Sequence, residues 1–143
     1  MEALSDRGSS IFPMRTGEIA RDRRLSATPR KDLMAHTVID ANEVEASHGV
    51  FRGLSAPLGV GKFKVNRLEL PPGGEGPEHD HVANGEEEVY AVISGSGTLL
   101  VDGEEIALRP GHFVFCSSDA RRQMRAGADG LVFIGIGATG GDS

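Results

Sequence analysis

His79-Asp80-His81 is the first place in the chain where residue types and spacing offer chemistry. On an extended segment the side chains at positions i and i+2 point to the same face, so the two imidazoles can reach one point. Glu86, Glu87 and Glu88 follow at the start of an apolar run. A carboxylate from that run would complete a set of two histidines and one acid with open positions. Such a set suits Fe(II), Mn(II), Ni(II) or Zn(II) and leaves room for a substrate. Strand alternation narrows the choice of acid. Glu86 and Glu88 share a face with Tyr90 and Val92, while Glu87 shares the other with Val89, Ala91 and Ile93. Taken singly, a histidine pair and a glutamate run are common in solvated loops, so their combination carries the reading.

The remaining reactive residues are read as structural. His112 follows Pro110-Gly111 at the start of a strand and is expected at the surface, as are His36 and His48 outside any motif. Cys116 is the only cysteine, which excludes an intramolecular disulfide and a cysteine-based zinc cluster. It reads as a small hydrophobe in a protein of a reducing compartment, the cytoplasm. Gly95-Ser96-Gly97 and Gly135-Ile136-Gly137 read as turns between strands, since no helix follows whose N-terminus would take a phosphate.

These residues need a scaffold that brings distant strands together. The chain has 143 residues, 38% of them hydrophobic, with 20 glycines and seven prolines against seven aromatics. That balance favours short strands joined by tight turns over long helices. From Met34 onward, apolar runs alternate with turn signals at intervals of roughly ten residues, as in a sandwich or barrel. Strands are expected over 63–70, 88–94, 98–101, 104–108, 113–116 and 131–136. Asp102-Gly103 is read as a type I′ hairpin turn, and residues 35–60 are left without assignment. Residues 1–33 carry no periodic apolar face and are read as a loosely ordered tail ahead of a domain spanning 34–143. The tail has a net charge of +2 and the rest −8, giving −6 for the chain. A negative surface does not collect polyphosphate, so nucleic acid is not an expected partner. Neither a signal peptide nor a membrane span is evident.

Gly73, His79, His81, Glu88 and Gly95 together resemble the first motif of the cupin superfamily, in which glycine, HxH, glutamate and glycine recur at set spacings. Leu70-Pro71-Pro72-Gly73-Gly74, Val101-Asp102-Gly103-Glu104-Glu105 and Leu108-Arg109-Pro110-Gly111 are also similar to small single-domain cupins. The similarity covers about residues 60–137. Six residues separate His81 from Glu88 instead of three or four, which implies a loop bulge at Asn84-Gly85 and keeps Glu86 as the alternative carboxylate. The second motif retains only Gly111, and Arg122 stands where the family places a further metal-binding histidine. A guanidinium has no lone pair to give a cation. Three readings follow: an ion held by His79, His81 and Glu88 alone, Arg122 paired with Glu88 in place of an ion, or Arg122 as a fork for an anionic ligand.

The resemblance implies an all-β, mostly antiparallel jelly-roll barrel, a homodimer, and a divalent transition metal and a small molecule in the barrel mouth. Arg122, Tyr90 and Glu86 are the expected contacts to that molecule. If the protein is an enzyme, a metal-dependent dioxygenase or isomerase is implied. The alternative is a metal-free binding or sensing protein that holds an anionic ligand through Arg122.

Overall fold

A computed structural model describes residues 35–140; the expected tail over 1–33 lies outside them. Residues 40–140 lie in one compact unit. Six strands make one antiparallel sheet: β1 (Phe51–Gly53), β2 (Lys64–Leu70), β3 (Glu87–Val101), β4 (Glu104–Leu108), β5 (Phe113–Cys116) and β6 (Arg122–Ala138). The sheet order is β1-β2-β6-β3-β4, with β5 pairing the first part of β3. The segment left unassigned holds a 3-10 turn at Ala41–Glu43, β1, and one helical turn at Ser55–Leu58. No helix among the described residues is long and apolar enough to cross a membrane.

The hairpin expected at Asp102-Gly103 forms, and both residues take positive φ, 49° and 86°, as a type I′ turn demands. Gly95-Ser96-Gly97 does not make a turn. β3 continues through it for 15 residues, with register shifts against β6 between Val92 and Ser94 and between Gly95 and Gly97. Bulges of this kind bend a strand without ending it, and glycine serves them as well as it serves turns. β6 is also longer than expected, because residues 122–126 pair with 97–101 of β3 before 131–138 pair with 87–95.

Gly135 and Gly137 sit within β6, opposite Tyr90 and Glu88 respectively. A Cβ on Gly137 would come within 2.3 Å of the Glu86 carboxylate, and one on Gly135 within 3.6 Å of the Tyr90 ring. These glycines therefore clear space for inward side chains of the facing strand. Leu99, Leu131, Val92 and Leu70 fill the interior together with Phe133. Phe133 meets the Tyr90 ring edge to face at 5.7 Å. Beyond Tyr90 the interior opens into a cavity.

Candidate metal and ligand site

The histidines are placed by backbone pairing to the strand that carries Arg122. His79 and Arg122 exchange both N–H···O bonds at 2.9 Å, and the His81 N–H donates to the Ser118 carbonyl at 2.8 Å. Two residues apart on this extended run, the rings meet edge to face with centroids 5.0 Å apart. The extra residues before the strand form a turn. The N–H groups of Asn84 and Gly85 both donate to the His81 carbonyl, Gly85 takes φ of 74°, and Asn84 Oδ1 accepts from the Glu86 N–H. The chain then enters β3 in the alternation read from sequence. Glu86, Glu88, Tyr90 and Val92 are buried, and Glu87 is exposed.

The contacts of Glu88 converge on Oε1. The Tyr90 hydroxyl and Arg122 Nη2 each donate to it at 2.5 Å. His81 Nε2 lies 3.2 Å and His79 Nε2 3.7 Å from the same oxygen. Ligand atoms of His79, His81 and Glu88 all lie within 4.8 Å of one another. Glu86 is more remote, its Oε2 being 3.9 Å from His81 Nε2, and its Oε1 pairs with Lys64 Nζ at 3.1 Å. Arg122 is 1% exposed. Its Nε donates to the Tyr90 hydroxyl, and its Nη1 to the carbonyls of Ser117 and Ala120.

The charges follow from these contacts. Burial alone would raise the Glu88 carboxyl, but hydrogen bonds from His79, Tyr90 and Arg122 outweigh it and hold the group at about 2. Tyr90 is pushed up, first by burial and then by the neighbouring carboxylate. The Glu88 hydrogen bond raises His79 against the opposing effect of burial, and the Pro77 carbonyl, 3.1 Å from Nδ1, adds to the rise. Arg122 is raised as well, since bonds to Tyr90 and Glu88 overcome its desolvation.

The residues can be tested against a metal ion. His81 Nε2 is a buried polar atom with no hydrogen-bond partner, although it faces Glu88. An orphaned imidazole nitrogen beside a carboxylate is costly unless something takes its lone pair or proton. With bonds of about 2.0 to 2.2 Å, an ion needs donors roughly 3 to 3.5 Å apart, close to the His81–Glu88 separation. The Pro77 carbonyl also fixes His79 so that Nε2 faces inward. Two imidazoles and a carboxylate therefore fit a divalent transition ion, with the Arg122 guanidinium as an opposing charge.

These groups form part of the wall of a cavity of about 580 Å³. Phe51, Leu68, Tyr90, Met124 and Phe133 line it, along with Lys64 and Glu86. All the site residues named from sequence, His79, His81, Glu86, Glu88, Tyr90 and Arg122, border this one space. His112 is not among its walls, and its Nδ1 instead accepts the Arg109 N–H across a turn. Cys116 belongs to the buried core, where burial pushes its thiol up. The wall residues Met124, Phe51 and Lys64 were not anticipated. The alternation of Met124 and Ala126 with Gln123 and Arg125 carries the period of a strand, but an arginine in the preceding inward position obscures it.

Residues 66–134 match the cupin domain family. The fold is similar to that of a cupin protein from Bacteroides fragilis, at 26% identity over 78% of this chain and 90% of that one, with a TM-score of 0.66. It is also similar to a predicted oxalate decarboxylase from Thermotoga maritima, at 20% identity over 72% of this chain and 99% of that one, with a TM-score of 0.61. A polyketide cyclase from Streptomyces resistomycificus aligns at 21% identity over 71% of this chain and 78% of that one, with a TM-score of 0.62. At such identities the latter two speak to the fold alone. No curated protein matches the chain.

Proposed function

The chain is a small cupin-domain protein, and on that footing we propose that it binds a divalent transition metal and a small organic molecule in the barrel mouth. His79, His81 and Glu88 are the ligands of the ion. The observation that carries this reading is the convergence of three donor atoms within 4.8 Å in the wall of a cavity large enough for an organic molecule. Iron, manganese, nickel or zinc would suit the donors. A bound ion with open positions would polarise an oxygen of the organic ligand or activate water or dioxygen, chemistry that fits an oxygenase or isomerase. The chain's own residues shape what surrounds it. Tyr90 and Arg122 fix Glu88 Oε1 in place, and Glu86 adds a second buried carboxylate to the wall. We further propose that the protein works as a cytoplasmic homodimer.

Elemental analysis of protein purified without a histidine tag tests the metal. Close to one transition ion per chain is expected. Alanine at His79 or His81 should abolish it, and His112→Ala should leave it intact. Occupancy should also fall below about pH 6, because ligation needs neutral imidazole.

The buried Arg122–Glu88 pair supports a second reading, a metal-free binding protein in which the guanidinium replaces the ion as the partner of the carboxylate. Metal-free protein that keeps its stability and rejects added Fe(II), Mn(II), Ni(II) and Zn(II) would favour it. Within that reading, Arg122 acts on a ligand through Glu88 and Tyr90, because its N–H groups already serve these side chains and two backbone carbonyls.

A further inference from the structure

Resting on the reading of a ligand cavity, we propose that its occupant is a neutral, largely apolar ring compound with a hydroxyl or carbonyl oxygen at one end. A sugar phosphate or a small dicarboxylate does not fit these walls. Phe51, Leu68, Met124 and Phe133 present carbon, and Tyr90 presents its ring while its hydroxyl is bound to Glu88. A space of about 580 Å³ suits a molecule of one to three fused or linked rings. A two-carbon diacid would leave most of it as water against apolar faces.

The charge inventory points the same way. The cations on the wall are Arg122 and Lys64, and each is paired with a carboxylate of the same wall, Glu88 and Glu86 respectively. Histidines aside, neither cation on the wall lacks a carboxylate partner, and an incoming anion would also meet those two carboxylates. Ser55 is committed too, its hydroxyl accepting from the Val65 N–H at 2.8 Å. Apart from Asn66, the polar groups left for a ligand cluster around the histidines. That asymmetry fits a molecule polar at one end and apolar along its length. Phe51, 40% exposed, is the aromatic wall residue left partly open to the ring system.

Calorimetric titration of the untagged full chain tests the proposal, with 2-naphthol and 4-phenylphenol as neutral probes against glucose 6-phosphate and oxalate. Each titration is run on metal-loaded and on chelator-stripped protein. At least one neutral probe should bind once per chain, about tenfold or more tighter than either anion. It should bind the stripped protein comparably, because the walls supply most of the contact. Phe51→Ala should weaken it several-fold, while Phe115→Ser on the outer face should leave it unchanged. Tighter binding of either anion to the stripped protein overturns the proposal. So does the absence of saturable binding of both neutral probes up to millimolar concentration, or equal sensitivity at Phe115. Failure of the metal reading looks different, since the protein would then carry no ion while neutral-probe binding and its loss in Phe51→Ala persist.

Discussion

Arg122 decides the balance between ion and ion pair, because one oxygen serves both. Glu88 Oε1 already accepts from Arg122 and Tyr90, and an ion bound there would sit within about 5 Å of the guanidinium. At an effective dielectric near 20, a divalent charge facing a unit charge at that distance costs on the order of 6 kcal/mol before solvent and relaxation reduce it. Arg122→His removes the repulsion and adds a donor, so metal should bind at least about tenfold tighter in chelator competition. The metal-free variant should be less stable, since the carbonyls of Ser117 and Ala120 and the Glu88 carboxylate lose their donors. Unchanged affinity together with unchanged stability would separate Arg122 from the site. The carboxylate makes its own prediction in metal-free protein. Its folded-state value of about 2 lies below the ordinary 4.5, so its contribution is complete above about pH 4.5 and is lost as pH falls toward 2. The difference corresponds to about 3 kcal/mol. Urea unfolding should show that acid loss in the wild type and a flatter profile in Glu88→Gln. His79 acts in the opposite sense. Raised in the fold, it contributes below its ordinary 6.5 and loses that contribution as pH rises through its folded-state value, so the two groups favour the mildly acidic range.

Strands β3 and β6 are where elements turn residues into a site, because each is long enough to serve both the core and the cavity. Their bend rests on Gly95. It has φ of 84°, and a Cβ there would lie 2.1 Å from the Gly130 carbonyl oxygen of β6. Gly103 has a similar φ of 86° but no atom within 4 Å of its missing Cβ. Gly103→Ala should therefore cost only the local strain, about 1 to 2 kcal/mol. Gly95→Ala must also push two strands apart, and should cost severalfold more or prevent folding. Similar denaturant midpoints for the two variants would mean that the bulge is not a tight crossing. The same elements show what could be read in advance. Parity put Glu86 and Glu88 on one face and Glu87 on the other because β3 pairs with β6 without a register shift from Glu87 to Val92. The hairpin was legible because Asp102-Gly103 is short-range chemistry. The continuation of β3 through Gly95 was not, since positive φ at glycine marks bulges and turns alike. The first half of β6 was hidden by its own function. Arg122 takes an inward position that a core residue would normally hold, and bonds to Glu88, 34 residues away, to Tyr90 and to two backbone carbonyls make that burial tolerable.

At the scale of the whole molecule the sheet has two faces with different fates. Glu88, Tyr90 and Val92 turn inward, whereas Val89 and Ala91 turn outward beside Phe115 and Phe113, their partners on β5. Phe113 is 74% exposed, Phe115 60% and Ile93 54%. Among the described residues β5 pairs only with β3, so within them this apolar face ends in an open strand edge. Large aromatics left in water at an edge invite another surface, and a second copy of the same face is the partner that the proposed homodimer requires. Ile134 and Ile136 lie opposite Ala91 and Val89 and widen the patch across β6. A face of this breadth can nucleate the roughly 800 Å² per partner that a stable dimer hides. The net charge of −8 over 34–143 does not oppose such contact, because the outward β5 residues are uncharged. Sedimentation velocity at micromolar concentration should therefore find a dimer. Phe113→Glu combined with Phe115→Glu should give a monomer, since like carboxylates would then meet across the two-fold axis. The cavity lies on the other side of the sheet, so this monomer should retain the metal and the neutral-probe affinity of the dimer within about threefold. A wild-type chain that stays monomeric at all concentrations would leave the patch to a different partner. A monomeric variant that loses the metal would mean that the dimer contact holds the site together.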